Sequence, residues 1–152
     1  PVSVDIIVRR LMTAFGVSRA GARVSARVKE AVDAAVREHG WVLQDGFVLR
    51  VEQLDGSEPI AARDRSSLPA AERKIELIAP AEIRAALCQM TELAFSISPR
   101  DLVAEVARKL GFNRASTNIT SQIEAQLSVL LAMQIVRKGE DERVMLEELT
   151  PS

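Results

Sequence analysis

"SPRDLVAEVARKLGFNRASTNITSQIEAQLSVLL", residues 98–131, lies over "SVDIIVRRLMTAFGVSRAGARVSARVKEAVDAAV", residues 3–36, without a gap, every correspondence holding at an offset of 95 positions. The agreement is one of physical character rather than of letters. Ser3 and Ser98 each stand where an N-cap opens a helix, and Ser98 is followed by Pro99 at the first helical position and then by Asp101; these residue types suit the unpaired N–H groups of a helix start. Ile7, Val8, Leu11, Met12 and Phe15 correspond to Leu102, Val103, Val106, Ala107 and Leu110, an apolar stripe at helical spacing. Gly16 and Gly111 stop these helices, and Ser18 and Asn113 are N-cap types for the next. Val24, Val28, Val32 and Val36 against Ile119, Ile123, Leu127 and Leu131 then give one apolar face along a longer second helix.

Each half continues with a strand-like run, a polar turn and a second strand-like run. In the first half this is "WVLQDGFVLRVE", where Asp45-Gly46 is a strong hairpin signal. In the second it is "IVRKGEDERVMLEE", with a longer, acidic turn. Helix, short glycine-containing turn, longer helix and β-hairpin is the order of a winged helix-turn-helix. The expected fold is therefore mainly α with small β-hairpins (α+β), a tandem pair of winged helix-turn-helix units related by an internal repeat. The first unit is expected over residues 1–52, a linker rich in turn formers over 53–71, and the second unit over 72–152. The run Ile75 to Ile78 reads as a short strand. "APAEIRAALCQMTELAF" supplies the second unit with a preceding helix, Pro80 near its start and Ile83, Leu87, Met90 and Leu93 or Ala94 facing inward. No such helix precedes Ser3, and the chain opens on Pro1 rather than Met. We therefore expect a longer parent chain, with the first unit's own first helix missing or supplied by another segment.

Composition narrows the function classes. With 152 residues, 47% of them apolar, the chain can bury one compact core or two small ones. A net charge of −1 gives no global positive field, so attraction to nucleic acid or an anionic membrane has to be local. The lone Cys88 cannot form an internal disulfide, which suits a reducing cytoplasm, and neither a membrane span nor a signal peptide is legible. A soluble cytoplasmic protein without membrane partners is expected. Aromatic residues are 3% and Tyr is absent, so stacking platforms for single-stranded bases are poorly supplied.

Catalytic chemistry finds little to build on, and no catalytic residue, cofactor or metal is expected. The only histidine, His39, stands beside Gly40 at the end of a helix, a place for a cation-capable side chain near helix carbonyls. One His and one Cys do not make a zinc site, and Cys88 falls on an inner helical stripe as a small hydrophobe. Neither a Gly-rich phosphate loop nor a serine elbow is present. The sequon "NIT" at 118–120 lies inside an expected helix. Glu140, Asp141, Glu142, Glu147 and Glu148 read as a solvated acidic edge on the second hairpin.

The arginines are the better candidate. From residue 6 to residue 29 the chain carries Arg9, Arg10, Arg19, Arg23, Arg27 and Lys29 and no acidic residue, a local electrostatic footprint inside a near-neutral protein. In a helix-turn-helix the second helix enters the major groove by its N-terminal residues. That puts Arg19 and Arg23 at the depth of base edges, Arg27 nearer phosphate, and Arg10 and Arg50 within reach of the backbone. At the offset of 95 the second unit presents Arg114, Asn118 and Gln122, a polar but almost uncharged face. Against this stands an amphipathic surface helix whose arginines are merely solvated, in a fold that also serves docking and dimerisation. The two readings are a DNA-binding module and a protein-interaction or intramolecular docking module, the latter forming a homodimer through apolar surface left uncovered on the first unit.

A resemblance adds context. "RDRSSLPAAERKIELIAPAEIRAAL" followed by "SPRDLVAEVARKLGFNRASTNITSQIEAQLSVLLAMQIV" resembles the uncharacterised C-terminal domain of large bacterial superfamily I DNA helicase-related proteins. The likeness rests on Arg63 and Arg65, on Ile75-Glu76-Leu77-Ile78, on Glu82-Ile83, and on Leu102 to Ser116; it covers residues 63–136 and, more weakly, the first unit. Proteins of that kind often also carry a Vsr-like or restriction-endonuclease-like domain. The resemblance implies a non-catalytic module of a helicase or nuclease, its ATPase and cleavage motifs lying outside this chain, with the other domains of that parent as partners.

Overall fold

A computed structural model describes residues 1–17 and 21–147. The described residues form six α-helices and two small antiparallel sheets, a mainly helical α+β architecture. They divide into two compact units, residues 1–60 with 76–79, and residues 61–75 with 80–147.

In the first unit β1 (Val2–Ser3) leads directly into α1 (Val4–Ala14), α2 (Ala22–Glu38), β2 (Val42–Gln44), β3 (Phe47–Leu49) and a single helical turn, α3 (Val51–Leu54). Asp45 and Gly46 carry φ of 50° and 80° between Gln44 and its partner Phe47, the left-handed pair that a two-residue hairpin needs and that Asn/Asp-Gly supplies at least strain. β1 adds a third strand by pairing Val2 with Val48 and Ser3 with Phe47. Ser3 is thus the residue before α1, as its type suggests, but its side chain makes no capping bond; it is buried in the sheet, and the Val4 N–H donates to the Gly46 carbonyl at 2.9 Å. Ile6, Val8, Val32, Val36, Phe47 and Leu49 are buried, and Ala79 joins Phe47 and Leu49.

In the second unit α4 (Pro80–Ala94), α5 (Pro99–Lys109) and α6 (Thr117–Ala132) pack on one another, and a hairpin of β4 (Val136–Lys138) and β5 (Val144–Leu146) closes the unit, β5 also touching α4. Ser98 caps α5, its hydroxyl accepting from the Asp101 N–H at 3.1 Å, and Ser116 caps α6 in the same way through Ile119. α4 buries Glu82, Ile83, Ala86, Leu87 and Thr91, so its inner stripe ends a turn before the Leu93 or Ala94 expected from the sequence; both of those are exposed. Ile75–Ile78 is not a strand. Residues Ile75–Leu77 form a 3-10 turn, in which three residues per turn put the two buried isoleucines, Ile75 and Ile78, on one face; a strand would have aligned Ile75 with the half-buried Leu77.

One device ends four helices. After α1 the Gly16 N–H donates to Thr13 O and the Val17 N–H to Met12 O; after α5, Gly111 donates to Arg108 and Phe112 to Ala107. Gly40 and Trp41 after α2, and Gln134 and Ile135 after α6, repeat the pattern. The residue at the turn has positive φ each time, which is why three of the four are glycine. α1 and α5 begin and end 95 residues apart, and α2 and α6 begin 95 apart.

Candidate functional site

The cations of the first unit are held by two helices. Arg10 lies on α1 and is exposed; Arg23 and Arg27 lie one turn apart in the first turns of α2 and are also exposed. Arg19 lies outside the described residues. α2 has no acidic residue in its first turn, and the Arg23 and Arg27 side chains make no ion pair or hydrogen bond among the described residues. Arg23, on the first turn, adds its charge to the positive end of the helix dipole, and Arg27 stands one turn further along the same face.

Arg50 is placed differently from the sequence expectation. It follows β3 as the residue before α3, and its guanidinium is ion-paired to Glu58, so part of its charge is answered within the unit. In the second unit Arg114 sits in the turn before α6, with Asn118 and Gln122 on the helix itself; all three are exposed. The acidic edge expected on the second hairpin is largely compensated. Lys138 pairs with Glu142 at 2.9 Å, Arg137 with Glu147 at 3.6 Å and Arg143 with Asp141 at 3.8 Å. Glu148 lies outside the described residues. Arg143 also reaches the Ser96 carbonyl at 2.6 Å, tying the hairpin to the segment before α5.

Beside Arg23 and Arg27 the structure opens an apolar groove of about 330 Å³, lined by Leu11, Phe15, Val24, Val28 and Ala31, with the two arginines completing its wall. Phe15 is 78% exposed and Leu11 36%. Of the stripe that reads from sequence as a core face, Val8 is buried and Ile7 and Met12 are half-buried, while Leu11 and Phe15 are exposed. Periodicity marks which residues share a face but not whether anything packs on it.

The most tightly built polar cluster lies elsewhere and was not legible as such. Glu82, fully buried on α4, accepts from both guanidinium nitrogens of Arg65 at 2.8 Å each, from the Arg63 backbone N–H at 2.9 Å and from the Arg63 side chain at 2.7 Å. Arg65 is itself buried and donates in addition to the Arg63 carbonyl. Burial pushes the Glu82 carboxyl up, but the hydrogen bonds from Arg65 and Arg63 and the charge of Arg65 outweigh it and hold the group down at about 2. Arg63 and Arg65 belong to the stretch read as linker, yet they fasten residues 61–75 to α4, and the Arg65 N–H donates to the Leu110 carbonyl at the end of α5. Every oxygen of Glu82 is engaged, so the cluster is a fastening rather than an open site.

His39 caps α2 and stacks on Trp41 with ring centroids 5.0 Å apart. Cys88 is half-buried, and burial pushes its thiol up, away from nucleophilic character. Among the described residues no three His, Cys, Asp or Glu side chains gather as metal ligands, and no helix is long and apolar enough to cross a membrane.

Neither a curated protein nor a solved structure matches the chain. Residues 1–26 match the model of a family described as a protein of unknown function, DUF3320. The matched stretch takes in β1, α1 and the opening turn of α2, and so includes Arg10, Arg19 and Arg23 and stops just short of Arg27. The similarity is confined to the opening of the first unit, where Arg10 and Arg23 are exposed.

Proposed function

We propose that the chain is a non-catalytic DNA-binding accessory domain of a helicase- or nuclease-type protein, in which two winged helix-turn-helix units hold duplex DNA and α2 of the first unit makes the main contact. The observation that carries this reading is the pair of exposed guanidinium groups, Arg23 and Arg27, on the first turns of a helix that comes after α1 in the chain and precedes a β-hairpin. They have no acidic partner among the described residues, whereas the cations of the second hairpin are each paired. Cations left unanswered by the protein itself are the ones that release counterions from phosphate on binding. The helix bounds offset by 95 residues support the tandem arrangement, and the bacterial helicase-related resemblance supports the setting. In this reading Arg19 and Arg23 reach base edges and Arg27 phosphate, with Arg10 beside them. Arg50 has to give up Glu58 before it can reach phosphate, so its share is small. Arg114, Asn118 and Gln122 offer hydrogen bonds with little charge.

The test is fluorescence anisotropy of labelled duplex and single-stranded DNA with the chain and with its Arg19→Ala, Arg23→Ala, Arg27→Ala variant. Micromolar binding to duplex, lost in the variant, is the expected result; no binding at low salt by the intact chain refutes the reading. Docking to protein is the second reading, and the apolar groove beside Arg23 and Arg27 favours it.

A further inference from the structure

The groove on the first unit has a counterpart in the second, and there it is filled. Adding 95 to its lining residues gives Val106 and Leu110 on or ending α5, and Ile119, Ile123 and Gln126 on α6. Val106, Leu110 and Ile123 are fully buried, whereas Leu11 and Phe15 are exposed and Val28 is only half-buried. α4 accounts for the difference. It packs on both α5 and α6, buries Ile83, Ala86 and Leu87 at the i, i+3, i+4 spacing of one helix face, and fixes its register through Arg84, whose guanidinium donates to Gln126 at 2.7 Å. In the first unit the position of Gln126 is held by Ala31, and those of Asn118 and Gln122 by Arg23 and Arg27. A helix seated there therefore finds beside the groove two cations one turn apart with no partner among the described residues, where the second unit has Asn118 and Gln122.

We infer that the Leu11–Phe15–Val24–Val28 groove is a docking site for an acidic amphipathic α-helix, which lays an apolar i, i+3, i+4, i+7 face into the groove and sets carboxylates against Arg23 and Arg27. Charge complementarity selects the occupant. A second copy of the first unit would bring the same basic rim against this one, and like charges facing across an interface oppose association. A nucleic acid finds no donor in the apolar floor. The site shares Arg23 and Arg27 with the proposed DNA contact, so an acidic helix seated in the groove competes with duplex DNA for those two groups, whereas Phe15 belongs to the groove alone.

The probes are two end-capped peptides with the sequence of residues 80–94, labelled with an uncharged boron-dipyrromethene dye. One carries Arg84→Glu and Cys88→Ala, which leaves only carboxylates as charged groups; the other carries Glu82→Lys, Cys88→Ala and Glu92→Lys, which leaves only cations. With the intact chain at low salt, the acidic peptide binds in the micromolar range and the basic one does not. Phe15→Ser weakens the acidic peptide by about 30-fold, the scale of losing a central aromatic anchor, and leaves binding to duplex DNA unchanged. Arg23→Glu with Arg27→Glu weakens it by about tenfold and makes the basic peptide the better ligand. All three substituted side chains are exposed, so the far-UV spectrum is expected to stay that of the parent; should Phe15→Ser alter it, the charge swap decides alone. Absence of acidic-peptide binding, equal binding of both peptides, or a chain that sediments as a dimer dissociated by Phe15→Ser overturns the proposal, the last by assigning the groove to a second copy.

Discussion

Replacing Glu82 by Gln keeps the shape of the side chain but removes the charge that answers Arg65. The carboxyl is fully buried and held near 2, against 4.5 for the ordinary group. At 1.36 kcal/mol per unit, that depression corresponds to about 3 kcal/mol of stability. A second route gives a similar figure, since removing one partner of a buried, hydrogen-bonded ion pair costs about 3–5 kcal/mol by leaving the other charge uncompensated. Because the folded group titrates below the unfolded one, the contribution is complete above about pH 4.5 and is lost as the pH falls through about 2. Urea unfolding followed by far-UV circular dichroism is the assay. At pH 7 the Glu82→Gln chain is expected to lose about 3 kcal/mol, and the gap between parent and variant is expected to close on acidification from pH 4.5 towards 2. A variant within about 0.5 kcal/mol of the parent at pH 7, or a gap that does not change with pH, would refute the account of this cluster.

Two further substitutions probe the same unit. Gly111 has φ of +94°, and a Cβ there would stand 2.4 Å from the Ser66 nitrogen and 2.6 Å from the Arg65 nitrogen, both backbone atoms. Gly111→Ala is therefore expected to cost more than about 2 kcal/mol in the same assay, and a loss below about 1 kcal/mol would contradict the close approach of residues 65 and 66 to the end of α5. The Thr91 hydroxyl is buried and finds no hydrogen-bond partner among the described residues. Thr91→Val, which keeps the shape and removes the hydroxyl, is expected to stabilise the unit by about 1 kcal/mol, and a destabilisation of that size would show that the oxygen is engaged.

Local signals carried well from sequence to structure, and contacts distant in sequence did not. Ser98, Pro99 and Asp101 mark the start of α5 because a cap is satisfied within four residues; Gly16 and Gly111 mark helix ends because the turn needs a left-handed residue, and Asp45-Gly46 marks its hairpin for the same reason. The β1 pairing was hidden because two residues are too few to show alternation, and its partner lies more than forty positions away. The Glu82 cluster was hidden because Arg63 and Arg65 stand in a stretch of turn-forming residues, where an arginine is normally solvated. The Arg50–Glu58 pair was hidden in the same way. In the candidate site, the spacing of Arg23 and Arg27 against the valine stripe foretold that they are exposed. It could not tell that Leu11 and Phe15, with the same spacing as Val106 and Leu110, would be exposed, since coverage depends on a packed helix such as α4, which has no counterpart on α1 and α2 among the described residues.

The measurement that bears most directly on the proposed function is the salt dependence of duplex binding. If Arg23 and Arg27 contact phosphate or lie close to it, a plot of log K against log salt concentration is steep for the intact chain, and Arg27→Ala flattens it by about 0.9 while weakening all sequences alike. Arg23→Ala in addition costs about 1–3 kcal/mol at any base the chain prefers. A slope that Arg27→Ala leaves unchanged, or no binding by the intact chain at low salt, would contradict the claim that these arginines grip DNA and would leave them as the rim of the docking groove.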